Sequence, residues 1–275
     1  MRPPTDVTRD MAHQADAPNI LVLNAGSSSI KFALFDGHLN QTLSGIAEGI
    51  GEVSKLTIGT DVENTPFIDH RAALSAVLER LKTRGFDLKA LAAVGHRVVH
   101  GGAKLTQPVR LTPEVRAEIN NCTPLAPLHN PHNLAAIDML SELAPDVPQY
   151  ASFDTSFHAT NPTVATRYAI PRMIETKGIR RYGFHGLSYA SLTQTLPLVS
   201  DQKLPSRLLA FHLGNGASLC AILNGHSVAT TMGYSPLDGL TMGTRSGGID
   251  TNAVLRLVAD NGLELTKSIL NHESG

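Results

Sequence analysis

Residues 20–35 gather the side chains best suited to chemistry in this chain. An apolar run reaches Asn24, Gly26, Ser27, Ser28, Ser29 and Lys31, and a second apolar run leaves them. Two apolar runs joined by a short polar turn read as a β-hairpin. A turn built of small residues, hydroxyls and one cation can offer main-chain N–H groups and side-chain donors to an oxyanion, usually a phosphate. Ser and Gly also favour ordinary turns. The segment alone leaves an anion site and a plain hairpin tip equally open.

A second segment of the same design shifts the balance. Residues 211–226 read Phe-His-Leu-Gly-Asn-Gly-Ala-Ser-Leu-Cys-Ala-Ile-Leu-Asn-Gly-His. Laid on the first segment without a gap, Gly214 falls on Gly26, Ala221 on Ala33, Gly225 on Gly37 and His226 on His38. Similar units this far apart suggest a duplicated domain rather than a short-period repeat. Two halves that each aim an anion-gripping turn at a shared cleft suit a nucleoside triphosphate. Two unrelated hairpins are the less favoured alternative.

Other polar groups share one trait. His96 with Arg97, His129 with Asn130, Asp154, His185 and Arg245 each sit where an apolar element meets Gly, Pro or Asn. Such loop ends are where a rigid scaffold presents chemistry. Each taken singly reads as a cap, a turn or a surface ion pair. Together, beside two anion turns, they read as a site.

The elements that must position these groups alternate between strand and helix. Leu74, Val77, Leu78 and Leu81 follow helical spacing, as do Leu134, Ile137 and Leu140. Thr112, Pro113 and Glu114 make a helix start of cap, proline and first-turn acid. Strands are expected near 94–102 and over 149–153, the latter ending at Asp154. A helix is expected to begin near Ser188. Another, bearing Val254, Leu255 and Val258, is capped by Asp250 or Thr251 and closed near Gly262. This alternation implies an α/β fold.

Composition narrows the function classes. The 275 residues are 42% hydrophobic and 17% charged, enough for two domains with a sizeable core. A net charge of -1 gives no electrostatic footprint for nucleic acid or a membrane surface. No apolar run approaches a membrane span. Residues 1–18 lack a signal-peptide core and are expected to form a flexible leader. Cys122 and Cys220 have no metal-site spacing and fit free thiols in a reducing, cytoplasmic setting. The pairs His96/His100 and His129/His132 resemble metal ligands. However, no His-Glu-x-x-His helix is present and Val98 and Val99 make the first pair read as strand, so a histidine-built zinc site is disfavoured.

The segments 21–32, 96–102, 126–131, 153–158, 180–186, 212–218 and 232–249 resemble, in order, the motifs of the acetate kinase family. The resemblance covers the chain from about Asn19 to its end. It implies a duplicated actin-like (ribonuclease H-like) α/β fold, with a nucleotide cleft between a first domain over 19–155 and a second over 156–275. It also implies phosphoryl transfer from ATP to acetate, giving acetyl phosphate and ADP, with Mg2+ or Mn2+. Asn24 matches the asparagine near the metal, and Lys31, Ser27 and Ser29 match groups of the ATP phosphate turn. Arg97 and Arg245 match the two arginines around the transferred phosphoryl group. Asp154 matches the essential aspartate, His185 the histidine proposed to stabilise the transition state, and His129 another site histidine. His212, Leu213, Gly214, Asn215 and Gly216 match the second phosphate loop. Val99, Leu128, Phe184 and Pro236, beside Arg97, match the pocket for the acetate methyl.

The chemistry suits these residue types. A carboxylate acceptor is already ionised near neutral pH, with a reference pKa of about 4, so it needs no general base. It needs charge neutralisation, which arginines, a histidine and a divalent cation supply. Asp154 is therefore expected to orient the metal, its waters or Arg97 rather than move a proton.

The sequence also departs from the family pattern. Leu187 and Tyr189 stand where relatives usually carry Thr and His, and Gly248 and Thr251 replace a common Asp and Pro. Relatives continue past residues 270–275 by about a hundred residues, the size of a small domain. The second domain is accordingly expected to be incomplete, and the homodimer that relatives form is doubtful in the short form. A propionate or butyrate kinase, or an inactive remnant that binds nucleotide or a partner chain, are the rival readings.

Overall fold

The computed structural model describes residues 19–275. The leader expected over 1–18 lies outside the described residues. Packing divides the described chain into two units. The first holds residues 19–97, 110–112 and 131–151; the second holds 98–109, 113–130 and 152–275.

The first unit is built on β1 (Ile20–Ala25), β2 (Ser29–Phe35), β3 (Gln41–Glu48), β4 (Lys55–Ile58) and β5 (Asp61–Glu63), an antiparallel meander. Helix α1 (His70–Thr83) starts at Asp69, whose side chain accepts from the Ala72 amide at 2.7 Å. It leads the chain back to β6 (Ala93–Val98), which runs parallel to β1. After β7 (Val109–Arg110) and α2 (Pro113–Asn121), a helix of the second unit, come α3 (Asn130–Leu143) and β8 (Gln149–Phe153). The strand order is β5-β4-β3-β2-β1-β6-β8-β7.

Strand side chains alternate faces, and burial follows that period. Leu21, Leu23 and Ala25 on β1 and Ile30, Phe32 and Leu34 on β2 are buried. They pack on Leu74, Val77 and Leu81 of α1 and on Ala136, Met139 and Leu140 of α3. Each buried Leu is worth about 1.5–3 kcal/mol. The same alternation sends Asn24, Ser29 and Lys31 to the opposite face.

The second unit carries α4 (Thr163–Thr166), α5 (Arg172–Glu175), α6 (Gly186–Ser200), β9 (Arg207–Leu213), β10 (Ala217–Leu223), β11 (His226–Thr230), α7 (Thr251–Asn261) and α8 (Leu263–His272). Helix α6 begins before the expected Ser188. Asp250 caps α7 by accepting from the Asn252 and Ala253 amides, and Gly262 closes it. The strand order is β11-β10-β9. On one face Ala210, Cys220 and Ile222 pack around Tyr189 of α6. On the other, Leu209, Phe211 and Leu213 are exposed. Both cysteines are buried and free.

The repeat is present, with a correction to its register. The first hairpin pairs Ala25 with Ile30 and Asn24 with Lys31. The second pairs Leu213 with Ala217 and His212 with Ser218. The second turn spans 214–216 against 26–29 in the first, so it is shorter by one residue. Beyond the turn the gapless match is therefore out of step: Ala33 corresponds to Cys220, not Ala221. Lys31 corresponds to Ser218. The polar pairs Asn24/Lys31 and His212/Ser218 hold the same place, one step back from their turns.

Candidate active site

In the first unit, three adjacent strands bring Asn24, Lys31 and Arg97 to the open sheet face. Pairing sets Asn24 beside Lys31, and β6 runs with Leu23 opposite His96, so Arg97 follows on the Asn24 side. The Arg97 Nη1 donates to Asn24 Oδ1 at 3.0 Å. The turn itself is closed by the Gly26 amide donating to Ser29 O at 2.8 Å.

Two residues that sequence reasoning did not single out hold this turn from behind. His70 Nε2–H donates to Gly26 O at 2.6 Å, and Asn133 Nδ2 donates to Ala25 O at 2.7 Å. A trans peptide points its C=O and N–H in opposite directions. With the Gly26 carbonyl drawn to His70, the Ser27 amide faces away from α1, as an anion donor must. The His70 ring stacks on His132 with centroids 4.3 Å apart. The Asp69 cap at the head of α1 was the available signal for His70.

In the second unit, Asp154 follows β8 and is buried. Its amide donates to Val98 O at 3.1 Å, and its carbonyl accepts from the Gly186 amide at 2.8 Å. That bond ties it to the start of α6. A Cβ on Gly186 would collide with the Asp154 carbonyl, so only glycine fits there.

His185 precedes α6 with a left-handed backbone, φ 60°. For a residue with a Cβ this conformation costs roughly 1–2 kcal/mol. His185 Nδ1 lies 2.9 Å from Ser218 Oγ, and Ser218 Oγ lies 2.5 Å from the Tyr189 hydroxyl. The His185 ring stacks on His212, centroids 3.9 Å apart, and His212 Nδ1 meets Ser188 Oγ at 2.9 Å.

Gly216 marks the point where these groups converge. A Cβ built on it would stand 3.4 Å from His185 Nε2 and 3.5 Å from Arg245 Nη1. The Arg245 Nη1 donates to Pro236 O at 3.3 Å. Burial lowers the Arg245 pKa from the ordinary arginine value, yet an arginine keeps its charge in proteins. The turn is braced where the Gly243 amide donates to Asn215 O at 3.2 Å. A cation and an imidazole thus face one small space beside a glycine turn, an arrangement for anionic oxygens.

The residues expected in the acyl pocket divide into two sets. Leu128, His129, Pro236 and Arg245 line one cavity of about 630 Å³, with Tyr234 and Lys267. Val99 and Phe184 instead lie in a buried cluster with Ala126, Met232 and Met242. The Phe184 carbonyl accepts from buried His158 Nε2 at 2.9 Å.

The first histidine pair has other partners. His96 Nε2 meets Gln149 Oε1 at 2.7 Å, and His100 Nδ1 accepts from the Gly102 amide at 2.9 Å. Among the described residues, no three His, Cys, Asp or Glu side chains are grouped to hold a metal ion by themselves. A phosphate-bound Mg2+ makes no such demand, since it takes one or two protein oxygens and fills its shell with water and phosphate. Asn24 in the first unit and Asp154 in the second each carry a side-chain oxygen of that chemical type.

Residues 19–275 match the acetokinase family over their whole length. The chain belongs to the acetokinase family. An acetate kinase from Rhodopseudomonas palustris is 44% identical over 271 residues, a match covering 93% of this chain and 68% of that protein. One from Deinococcus radiodurans is 45% identical over 265 residues, covering 93% and 66%. A Francisella tularensis propionate kinase structure aligns at TM-score 0.87 and 36% identity, covering 94% of this chain and 69% of that one. The Porphyromonas gingivalis acetate kinase aligns at TM-score 0.83, also at 36% identity, with the same coverage. The chain thus spans about two thirds of the length of these acetokinase relatives, whose α/β fold it shares.

Proposed function

We propose that the chain transfers the γ-phosphoryl group of ATP to acetate, reversibly, giving acetyl phosphate and ADP. The convergence of His185 Nε2 and Arg245 Nη1 beside Gly216, within an acetokinase chain, carries the proposal. An acetate oxygen attacks the γ-phosphorus in line, and the bond to the β–γ bridging oxygen breaks. Arg245 and His185 face the charge on the equatorial oxygens, while Arg97 and Lys31 supply cations on the first unit. The Ser27 and Ser29 turn and residues 212–216 bind phosphates. Asn24 would hold the metal, Asp154 would orient the metal, its waters or Arg97, and Mg2+, when bound, would neutralise charge on the phosphate oxygens. Asp154 orients rather than accepts a proton.

A domain division near residue 155, a cytoplasmic setting and, for the complete protein, homodimer assembly belong to the same proposal. Among the described residues no helix is long and apolar enough to cross a membrane.

Trapping the acyl phosphate with hydroxylamine, given acetate, ATP and Mg2+, tests the reading. A hydroxamate signal abolished in Arg97→Ala supports it. Its absence from folded protein overturns it in favour of a chain that binds without turnover. Propionate or butyrate is the second reading, since the Francisella tularensis propionate kinase shares this fold at 36% identity. Turnover ratios across the three acids separate them.

A further inference from the structure

We infer that Ser218 and Tyr189 are positioning residues that clamp His185 through Nδ1, so that its neutral ring presents Nε2–H to the transferring phosphoryl group. The inference rests on the phosphoryl transfer proposed above and adds residues that the family motifs did not assign.

Ser218 is fully buried and touches both partners, His185 Nδ1 at 2.9 Å and the Tyr189 hydroxyl at 2.5 Å. A serine hydroxyl has a single proton to give. In the inferred arrangement the Tyr189 phenol gives its proton to Ser218 Oγ. Ser218 then donates to His185 Nδ1. A neutral imidazole that accepts at Nδ1 carries its proton on Nε2.

The direction of that proton matters because of where Nε2 points. It stands 3.4 Å from the Cβ position of Gly216, with Arg245 Nη1 at 3.5 Å from the same point. With the proton on Nε2, two donors face one space, which suits an anion. With the proton on Nδ1, Nε2 would present a lone pair to that anion. The left-handed His185 backbone and its stacking on His212 hold the ring in place around the clamp. Strained residues persist only where their surroundings over-determine them.

The repeat supports the assignment from a separate direction. Ser218 occupies in the second hairpin the register position that Lys31 occupies in the first.

Ring nitrogen chemical shifts read the tautomer directly. The test uses the full 15N-labelled chain at neutral pH, with the His185 signal assigned by its loss in His185→Gln. The expected wild-type spectrum shows His185 protonated on Nε2. Ser218→Ala should convert it to a mixture, and Tyr189→Phe should do so more weakly. In the hydroxamate assay, Ser218→Ala should lower kcat about 10²-fold, the scale of a misplaced catalytic group, and Ser218→Thr should recover most of it. The KM for acetate and ATP should stay within about twofold, since binding groups are untouched. An Nδ1–H tautomer in the wild type, or an unchanged tautomer in Ser218→Ala, overturns the inference. If Ser218→Ala fails to fold, the wild-type spectrum and Tyr189→Phe still decide. The tautomer needs no turnover, so failure of the kinase reading is seen separately from failure of the clamp.

Discussion

Arg97 Nη1 donates to Asn24 Oδ1 at 3.0 Å, so the guanidinium on β6 is aimed by an amide on the neighbouring parallel strand. An asparagine oxygen can do this while a second lone pair remains for another partner. Arg97→Lys removes the planar fork and should lower turnover by about 10²–10³-fold, the scale of a lost oxyanion donor. Asn24→Ala removes one hydrogen bond to a charged group, worth about 1.5–3 kcal/mol. It should lower kcat/KM by about 10–100-fold. Steady-state kinetics checks both, and near-normal turnover in Arg97→Lys would take that arginine out of the site.

Gly216 offers a cleaner separation of function from stability. Its φ is not among the positive ones, so an alanine meets no backbone penalty there. The new methyl would occupy the space faced by His185 Nε2 and Arg245 Nη1. Gly216→Ala should therefore melt within about 3 °C of wild type, an effect near 1 kcal/mol. Turnover should fall by about 10²-fold or more, as when an oxyanion site is blocked. Normal activity in this variant would mean the transferred group sits elsewhere.

Asp154 is a buried carboxyl in a reaction that needs no general base. Asp154→Asn keeps the shape and removes the charge. If the residue orients metal or its waters, part of the lost rate should return at higher Mg2+, and the metal preference should change. A loss that tracks one titrating base in the pH–rate profile, with no change in metal dependence, contradicts this role.

Much of this arrangement was legible in the residues. The period of two over 20–25 and 29–35 announced the β1–β2 hairpin, and helical spacing announced α1 and α3. Asp250 and Gly262 marked both ends of α7. Other features depended on register and tertiary packing, which local patterns do not carry. The shorter second turn hid the match of Lys31 with Ser218. His70 reaches Gly26, and Asn133 reaches Ala25, from helices distant in sequence. Val99 and Phe184 are expected in the pocket by the family resemblance alone. Their burial with Met232 and Met242 is decided by how the second unit packs.

Buried histidines should make stability fall in mild acid. Burial lowers the pKa of His96, His100 and His158 from 6.5 to about 4 each. In the unfolded chain they return to about 6.5. Between those values the unfolded chain binds protons that the folded chain does not, so stability falls as pH drops from about 6.5 to about 4 and levels off below. Each histidine contributes up to about 1.4 kcal/mol per pH unit within that window. Urea midpoints at about pH 7, 6 and 5 should decline in that order, since above the window all three rings are neutral in both states. His96→Gln keeps an amide donor to face Gln149, which His96 meets at 2.7 Å, and cannot titrate. It should give a shallower decline than wild type. Midpoints that hold level from about pH 7 to 5 would mean these rings can take up protons while folded, which burial in the observed packing opposes.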